Sequence, residues 1–468
     1  MEDRSVSRGW ARSLLDEYRS SPASVCAALG CSGALFFLFS LWLRGDHGYG
    51  LPSKLAAALS MLAFWALGLS FLPQWVRSWS LGDTRSVPEP APRAESSTAV
   101  AVFLAFLLYD LCLLCLAYLA LRVCGGSGGL KENLKLWNVG DGRHYLYLAE
   151  NGYLSQGDAD KVVLLVFLPG YPLLVRLVNG LVGNYLYSGL LSSGLCFALS
   201  GAVLYRLMRL DLDRETALRA LRWLCLMPGA FFFAAPMSES LFLLLSAACV
   251  YFMRRERWGL SCLMGGLAAF TRSVGLVLMA PVLFELMADV GARLRAGRRP
   301  ALGRCLWPLL ILSGFALYCL LNYRVSGDPF RFMAYQKEHW NQTLGWFFNT
   351  AAYQMQYLLE ALRAGSVEYA AGLWLPGLLC PFLSLLLMAR SAGRLRPGYT
   401  ALFIAYYTVA MGTTWLLSAP RYLLVMFPLP MALAVLTRRR GTDCVLTAIT
   451  LACSLAYLFM FIKRWQVW

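Results

Sequence analysis

Apolar residues in this chain neither alternate with polar ones, as on a half-buried strand, nor keep to one helical stripe. They continue in blocks. Runs approaching the ~20 residues that a helix needs to cross a hydrocarbon core recur from Ala23 to Ile462, separated by short polar turns. The pattern predicts helical crossings at 23–43, 55–76, 99–121, 185–207, 217–235, 241–253, 258–271, 275–291, 304–322, 370–389, 399–416, 422–437 and 444–462. Several of these are short or broken, so the expected bundle has about 11–13 spans. The fold class that follows is an all-α polytopic membrane protein.

Three segments break the pattern. Residues 83–98 (DTRSVPEPAPRAESST) read as a Pro- and Ser-rich linker, setting an N-terminal extension with two spans (1–82) apart from the remainder (99–468). Residues 122–184 form a long exterior stretch containing VVLLVFLPGYPLLVRLV, in which Pro169 and Pro172 remove backbone donors. An interfacial or re-entrant helix is expected there. Residues 323–369 form a second large exterior segment, rich in aromatic and amide side chains. No internal repeat is visible, which argues against the inverted-repeat transporters. Two large loops on one face and short basic turns on the other put any chemistry on the exterior side.

Composition agrees: 59% of residues are hydrophobic and 15% charged, against roughly 25% charged in soluble domains. A soluble enzyme, a disordered chain and a disulfide-stapled secreted module are excluded. The net charge of +16 comes from clusters such as Arg254-Arg255-Glu256-Arg257, Arg293 to Arg304, Arg390 to Arg396 and Arg438-Arg439-Arg440. These lie between apolar runs, as cytoplasmic loops do, and carry no interleaved stacking aromatics, so nucleic acid is not an expected partner. Arg421, Lys463 and Arg464 fall on the exterior side and depart from that bias. The fourteen cysteines are scattered through apolar runs and suggest neither a disulfide nor a zinc framework. No metal site is expected. The first apolar run has no small-residue cleavage site after it and reads as a retained span.

Four stretches carry residues able to do chemistry. In LWNVGDGRHYLYLAENGY (136–153), a helix starting at Asp141 puts His144, Tyr145 and Leu148 on the aspartate's face, and Asn151-Gly152 stops it. An aspartate between two glycines is commonly an N-cap; at a membrane surface it could equally present a base to a hydroxyl. In MPGAFFFAAPMSESLF (227–242) and AAFTRSVGL (268–276), Arg272 lies at membrane depth, where insertion costs about 2.5–3.5 kcal/mol, so a partner is expected. Glu239, beside Ser238, is that partner, in a structural ion pair or a substrate site. In NYRVSGDPFRFMAYQKEHW (322–340), Gln336, His339 and Trp340 share a helical face. They suit a sugar, which wants hydrogen bonds at its rim and an aromatic against its C–H face, or an interfacial anchor. Arg421 opens a span from the exterior as a phosphate ligand or a snorkelling residue. Asp110 sits in mid-span without an evident role, and Asn341-Gln342-Thr343 matches a glycosylation sequon.

In these stretches the chain resembles the PIG-V family, the GPI mannosyltransferase II group of the GT-C membrane glycosyltransferases. W…D-x-x-H-[YF]…A-E-x-G-Y is carried by Trp137, Asp141, His144, Tyr145, Ala149, Glu150, Gly152 and Tyr153. Phe167 to Pro172, Pro228 to Phe242 and Arg272 to Leu276 follow in the family's order. The likeness runs from about residue 99 to the C-terminus. Trp137-Asn138 stands where Trp-Asp is usual, and the downstream A-E-x-G-Y selects Asp141 as the equivalent carboxylate.

The resemblance implies a GT-C-type bundle whose first exterior loop bears the catalytic carboxylate. It also implies an inverting transfer of a hexose, mannose foremost, from a polyprenyl (dolichyl) phosphate donor to a glycolipid or glycan hydroxyl on the exterior or lumenal face. Asp141 would be the base and His144 would orient acceptor or leaving phosphate. Arg272 or Arg421 would stabilise the phosphate, while Trp137, Arg143, Tyr145, Ser238, Glu239, Gln336, His339 and Trp340 would contact substrate. No cofactor is expected beyond the lipid-linked donor itself. The membrane would be the plasma membrane in a prokaryote and the endoplasmic reticulum in a eukaryote. A GT-C enzyme with another sugar or a protein acceptor shares these residues. A flippase or exporter of lipid-linked glycans would share the spans and arginines without needing the acidic loop helix.

Overall fold

A computed structural model describes residues 10–79, 93–125, 129–153, 159–299 and 302–467. Each of the thirteen predicted spans contains a helix. Eight helical segments among the described residues are long and apolar enough to cross a bilayer: Pro22–Arg44, Leu51–Arg77, Glu95–Val123, Tyr185–Met208, Ser273–Arg295, Gly303–Ser326, Val367–Arg394 and Arg440–Ile462. The chain is a multi-pass membrane protein. The other five predicted crossings are the shorter helices Arg214–Leu226, Glu239–Arg254, Trp258–Thr271, Pro397–Ala410 and Pro428–Leu436.

Glu239–Arg254 and Pro428–Leu436 are the most buried of the short helices, whereas Trp258–Thr271 leaves Leu260, Leu263 and Leu267 exposed. Glu239–Arg254 has Phe242, Leu243, Ala247, Cys249 and Val250 at or near zero accessibility, whereas Leu104, Leu108, Leu111 and Leu119 on Arg93–Val123 are exposed toward the surroundings. Helix ends inside a membrane bundle leave backbone groups unpaired, which is tolerable only where protein surrounds them. Here the breaks fall at Pro228 and Pro236 ahead of Glu239–Arg254, at Arg272 after Trp258–Thr271, and at Pro420 and Pro428. All are enclosed by the outer helices, so polar helix ends face one another in the interior.

Small residues set the inner crossings. A Cβ on Gly314 would sit 1.8 Å from the Gly266 carbonyl oxygen, and one on Gly201 would sit 2.8 Å from the Phe106 ring. Removing side chains lets helix backbones approach closely, where van der Waals packing replaces the absent hydrophobic driving force.

The exterior segments differ in part from expectation. The proline-broken stretch forms a 3₁₀ turn, Ala159–Val166, and then the helix Gly170–Val182, which is short and apolar as an interfacial piece should be. Of the second segment, Arg331–Trp340 buries only Phe332, while Phe347–Arg363 is a core helix packed on the N-terminal pair. Phe347 meets Phe64 at 4.5 Å between ring centroids, and the Trp42 indole donates to Asn349 Oδ1 at 3.1 Å. Phe347 and Phe348 fill that interface, while Tyr353, Tyr357 and Gln354 turn inward to Trp415, Trp374 and the Leu416 carbonyl. Of the linker read over 83–98, residues 83–92 lie outside the described residues, and 93–98 are already helical. All fourteen cysteines are unpaired.

Candidate active site

The entry to the first exterior helix is built by glycine. Gly140 has φ +50°, a conformation that L side chains seldom adopt, and it turns the chain so that Asp141–Asn151 begins at the aspartate. Gly142 then lies against the Pro236 turn; a Cβ there would be 3.3 Å from the Pro236 ring. Gly189 admits Leu146 and Pro236 from the other side, each within 2.8 Å of where its Cβ would be. Gly152, at φ +75°, ends the helix, and Arg176 donates from Nε to the Ala149 carbonyl at 2.6 Å, satisfying one of the exposed carbonyls of the last turn. The helix is thus pinned at its start against the turn that leads to Ser238 and Glu239, and at its end by Arg176 of Gly170–Val182.

Asp141 does not cap its own helix: no side-chain capping bond is made. Its carboxylate accepts instead from Arg421, across 280 residues of sequence. Arg421 Nε lies 3.3 Å from Glu239 Oε1, and that same oxygen accepts from Arg272 Nη1 at 2.5 Å. Arg272 also donates to Ser238 Oγ at 3.2 Å, which bonds the Tyr145 hydroxyl at 3.0 Å. Six residues read from the sequence as site candidates therefore form one continuous chain of contacts: Asp141, Arg421, Glu239, Arg272, Ser238 and Tyr145. The expected Arg272–Glu239 pair is present. Aromatic rings enclose both guanidinium groups: Arg272 lies 5.1 Å from the Tyr422 ring centroid, and Arg421 lies 5.5 Å from Tyr422 and 5.8 Å from Phe232.

Accessibility is graded along this chain. The side chains of Glu239 and Arg421 are 2% and 6% accessible, Arg272 13%, and Asp141 31%. The aspartate is the open end of an otherwise buried ionic cluster. Burial pushes its carboxyl toward the neutral form, but the charge and hydrogen bond of Arg421, followed by the charges of Arg272 and His144, outweigh it and hold the pKa below the usual carboxylate value. His144 lies one helical turn on, its ring stacked 5.0 Å from Phe167. Burial lowers its pKa, against the opposing pull of Asp141, so the imidazole is neutral at pH 7.

The remaining candidates are spread further out. Trp340 reaches the cluster's edge through Phe167, whose ring lies 5.9 Å from it and 5.2 Å from Tyr145. Gln336 is half-buried on the same helix; His339 is exposed, its ring edge-on to Trp340. Trp137 is fully buried against Phe461 at 5.6 Å, where it packs the floor of the loop. Arg143 is exposed. Asp110 is buried on Glu95–Val123, with neither carboxylate oxygen hydrogen-bonded, and belongs to no part of this cluster. Among the described residues no group of three His, Cys, Asp or Glu is placed to hold a metal ion.

Sequence reasoning missed the Asp141–Arg421 pair. A signal existed: Arg421 is one of three basic residues that violate the positive-inside bias, and a charge kept where topology disfavours it usually has a local reason.

Comparison with known proteins finds partial matches. Residues 105–326 match the mannosyltransferase (PIG-V) family. Mouse GPI alpha-1,6-mannosyltransferase 2 is 33% identical over 163 residues, covering 32% of this chain and 31% of the relative. The human protein of that name is 34% identical over 163 residues, with 32% and 31% covered. The chain thus aligns with about a third of the length of these relatives. Among solved structures, ArnT from Cupriavidus metallidurans bound to undecaprenyl phosphate superposes with a TM-score of 0.44 at 17% identity, over 68% of this chain and 60% of that one. The matched family segment contains Asp141, Ser238, Glu239 and Arg272 and leaves Arg421 outside.

Proposed function

We propose, from the match of residues 105–326 to the PIG-V mannosyltransferase family, that the protein transfers mannose from a polyprenyl-phosphate donor to a hydroxyl of a glycolipid acceptor at the exterior face of its membrane. The reaction is an inverting displacement. The acceptor oxygen attacks C1 of the sugar, its proton passes to Asp141, and the bond from C1 to the phosphate oxygen breaks with the electron pair leaving on phosphate.

One observation carries this reading: Asp141, the carboxylate that the sequence resemblance selects, stands at the accessible end of a buried ionic cluster. Held ionised by Arg421, Asp141 is ready to accept a proton at neutral pH. The deep members, Glu239 and Arg272, fix Arg421 and through it the direction of the carboxylate. Neutral His144, a helical turn away, supplies a hydrogen-bonding ring at the mouth. Trp340, backed by the buried Phe167, offers aromatic surface of the kind that packs on a sugar's C–H face.

The test is Asp141→Asn, assayed for release of polyprenyl phosphate from radiolabelled polyprenyl-phosphate mannose in detergent. Loss of a general base lowers the rate by about 10²–10⁴-fold, with the variant still membrane-inserted because Arg421 keeps Glu239. Undiminished turnover would remove Asp141 from the reaction.

A further inference from the structure

The buried cluster holds two carboxylates, Asp141 and Glu239, and two guanidinium groups, Arg272 and Arg421. Each positive charge is matched within it. A phosphodiester arriving at this site carries one negative charge, and the cluster has no cation left to meet it: taking Arg421 or Arg272 would strand a carboxylate that is already nearly dehydrated, a costly exchange. The charge needed for a phosphate must come from elsewhere on the same face.

Two arginines supply it. Trp137 packs on Phe461, 5.6 Å between centroids, so the loop that enters the Asp141 helix is seated on the exterior end of Arg440–Ile462. Arg143 stands two residues beyond Asp141, and Arg464 three residues beyond Phe461. Both are exposed, and neither is ion-paired among the described residues. Partial burial of its side chain and then the charge of Arg143 depress Arg464, in keeping with the contact between the two segments at Trp137 and Phe461.

The backbone adds a second mark. The helix Arg440–Ile462 ends in a turn in which Trp465 N–H returns to the Met460 carbonyl at 3.0 Å and Arg464 N–H to Phe461 at 3.1 Å. The left-handed position of such a turn normally falls to glycine or asparagine. Here Arg464 occupies it with φ +61°, a conformation that L side chains seldom adopt. Lys463 and Arg464 are also exterior exceptions to the positive-inside pattern. An exposed arginine kept at a left-handed position, on the side that the positive-inside pattern disfavours, suits an anion.

We propose that Arg143 and Arg464 together bind a lipid-borne phosphodiester at the exterior surface beside Asp141. This rests on the transfer reading above for the identity of the lipid: the phosphate is that of the polyprenyl donor or that of a phospholipid acceptor. In an inverting displacement, base and leaving group stand on opposite sides of the sugar, so a phosphate site separate from the Asp141–Arg421 pair is what the reaction geometry requires. Two guanidinium groups converging on one phosphate offer paired charged hydrogen bonds that a single lysine cannot.

The experiment uses the full chain in detergent, with Arg143→Gln, Arg464→Gln and the double variant. KM is measured separately for polyprenyl-phosphate mannose and for acceptor, and the thermal shift produced by polyprenyl phosphate without sugar is recorded alongside. Each arginine removed should raise the KM of the phosphate-bearing substrate by roughly tenfold or more, partly restored by Arg464→Lys, with the dependence on salt reduced. A rise confined to the donor, with loss of the polyprenyl-phosphate shift, identifies the donor phosphate; a rise confined to the acceptor identifies the acceptor's. Unchanged KM for both substrates in the double variant, with the thermal shift retained, overturns the proposal and leaves the arginines as membrane-surface anchors. Because the thermal shift needs no turnover, it separates failure of this site from failure of the Asp141 assignment.

Discussion

Glu239 is the position where the ionic cluster is most exposed to attack by mutation. Its side chain is 2% accessible, one oxygen accepts from Arg272 at 2.5 Å and lies 3.3 Å from Arg421, and the other, Oε2, has no hydrogen-bond partner. Glu239→Gln keeps the shape and removes the charge, leaving two buried guanidinium groups to share Asp141. Unit charges about 4 Å apart attract by about 4 kcal/mol at an effective dielectric constant of about 20. Removing one partner of a buried pair costs about 3–5 kcal/mol, mostly from the charge left without compensation. For a chain of 468 residues, at about 2.1 cal/mol/K per residue, such a loss lowers an apparent midpoint by on the order of 3–5 °C, readable by intrinsic tryptophan fluorescence in a fixed detergent. The double variant Glu239→Gln/Arg272→Gln restores neutrality, so it should recover part of the loss and give a coupling well outside simple additivity. A single variant within about 1 kcal/mol of the parent, or a double variant as unstable as the sum of the singles, would refute the claim that Glu239 is the charge that holds Arg272 and Arg421 in place.

Two further outcomes follow from the same geometry. With its pKa held below 3.8, Asp141 remains ionised as pH falls through 6 and 5, so it contributes no acidic limb to the rate profile there; the stability it lends is present above the unfolded value of about 3.9 and disappears as pH drops through the folded one. Arg421→Gln removes the counter-charge and leaves burial dominant, which moves the acidic limb upward, and an unmoved limb would show that Asp141 is not governed by Arg421. Gly170→Ala would put a Cβ 2.3 Å from Thr271 Oγ1 and 2.9 Å from Thr271 Cα, next to Arg272; overpacking of this kind costs about 1–3 kcal/mol, and a melting midpoint equal to the parent's would mean the two helices part without resistance.

The sequence by itself determined the helical nature of the chain, since apolar blocks of this length admit only helices whose backbone groups are satisfied within the segment. It also marked Glu239, Arg272 and Arg421, because charge is rare in or beside such blocks and stands out, and it marked Asp141 and Ser238 through the motifs around them. It could not say which predicted crossings were full spans: Glu239–Arg254 and Trp258–Thr271 are short because neighbouring helices shelter their ends. Nor could it place Phe347–Arg363, whose aromatic residues fit an exterior loop as well as the interfaces they fill. Above all, whether Asp141 caps its own helix or meets a charge 280 residues away was left open by local pattern. Only the tertiary fold decided it, because the strength of an ion pair depends on distance and burial in space, and neither is written in the spacing of residues along the chain.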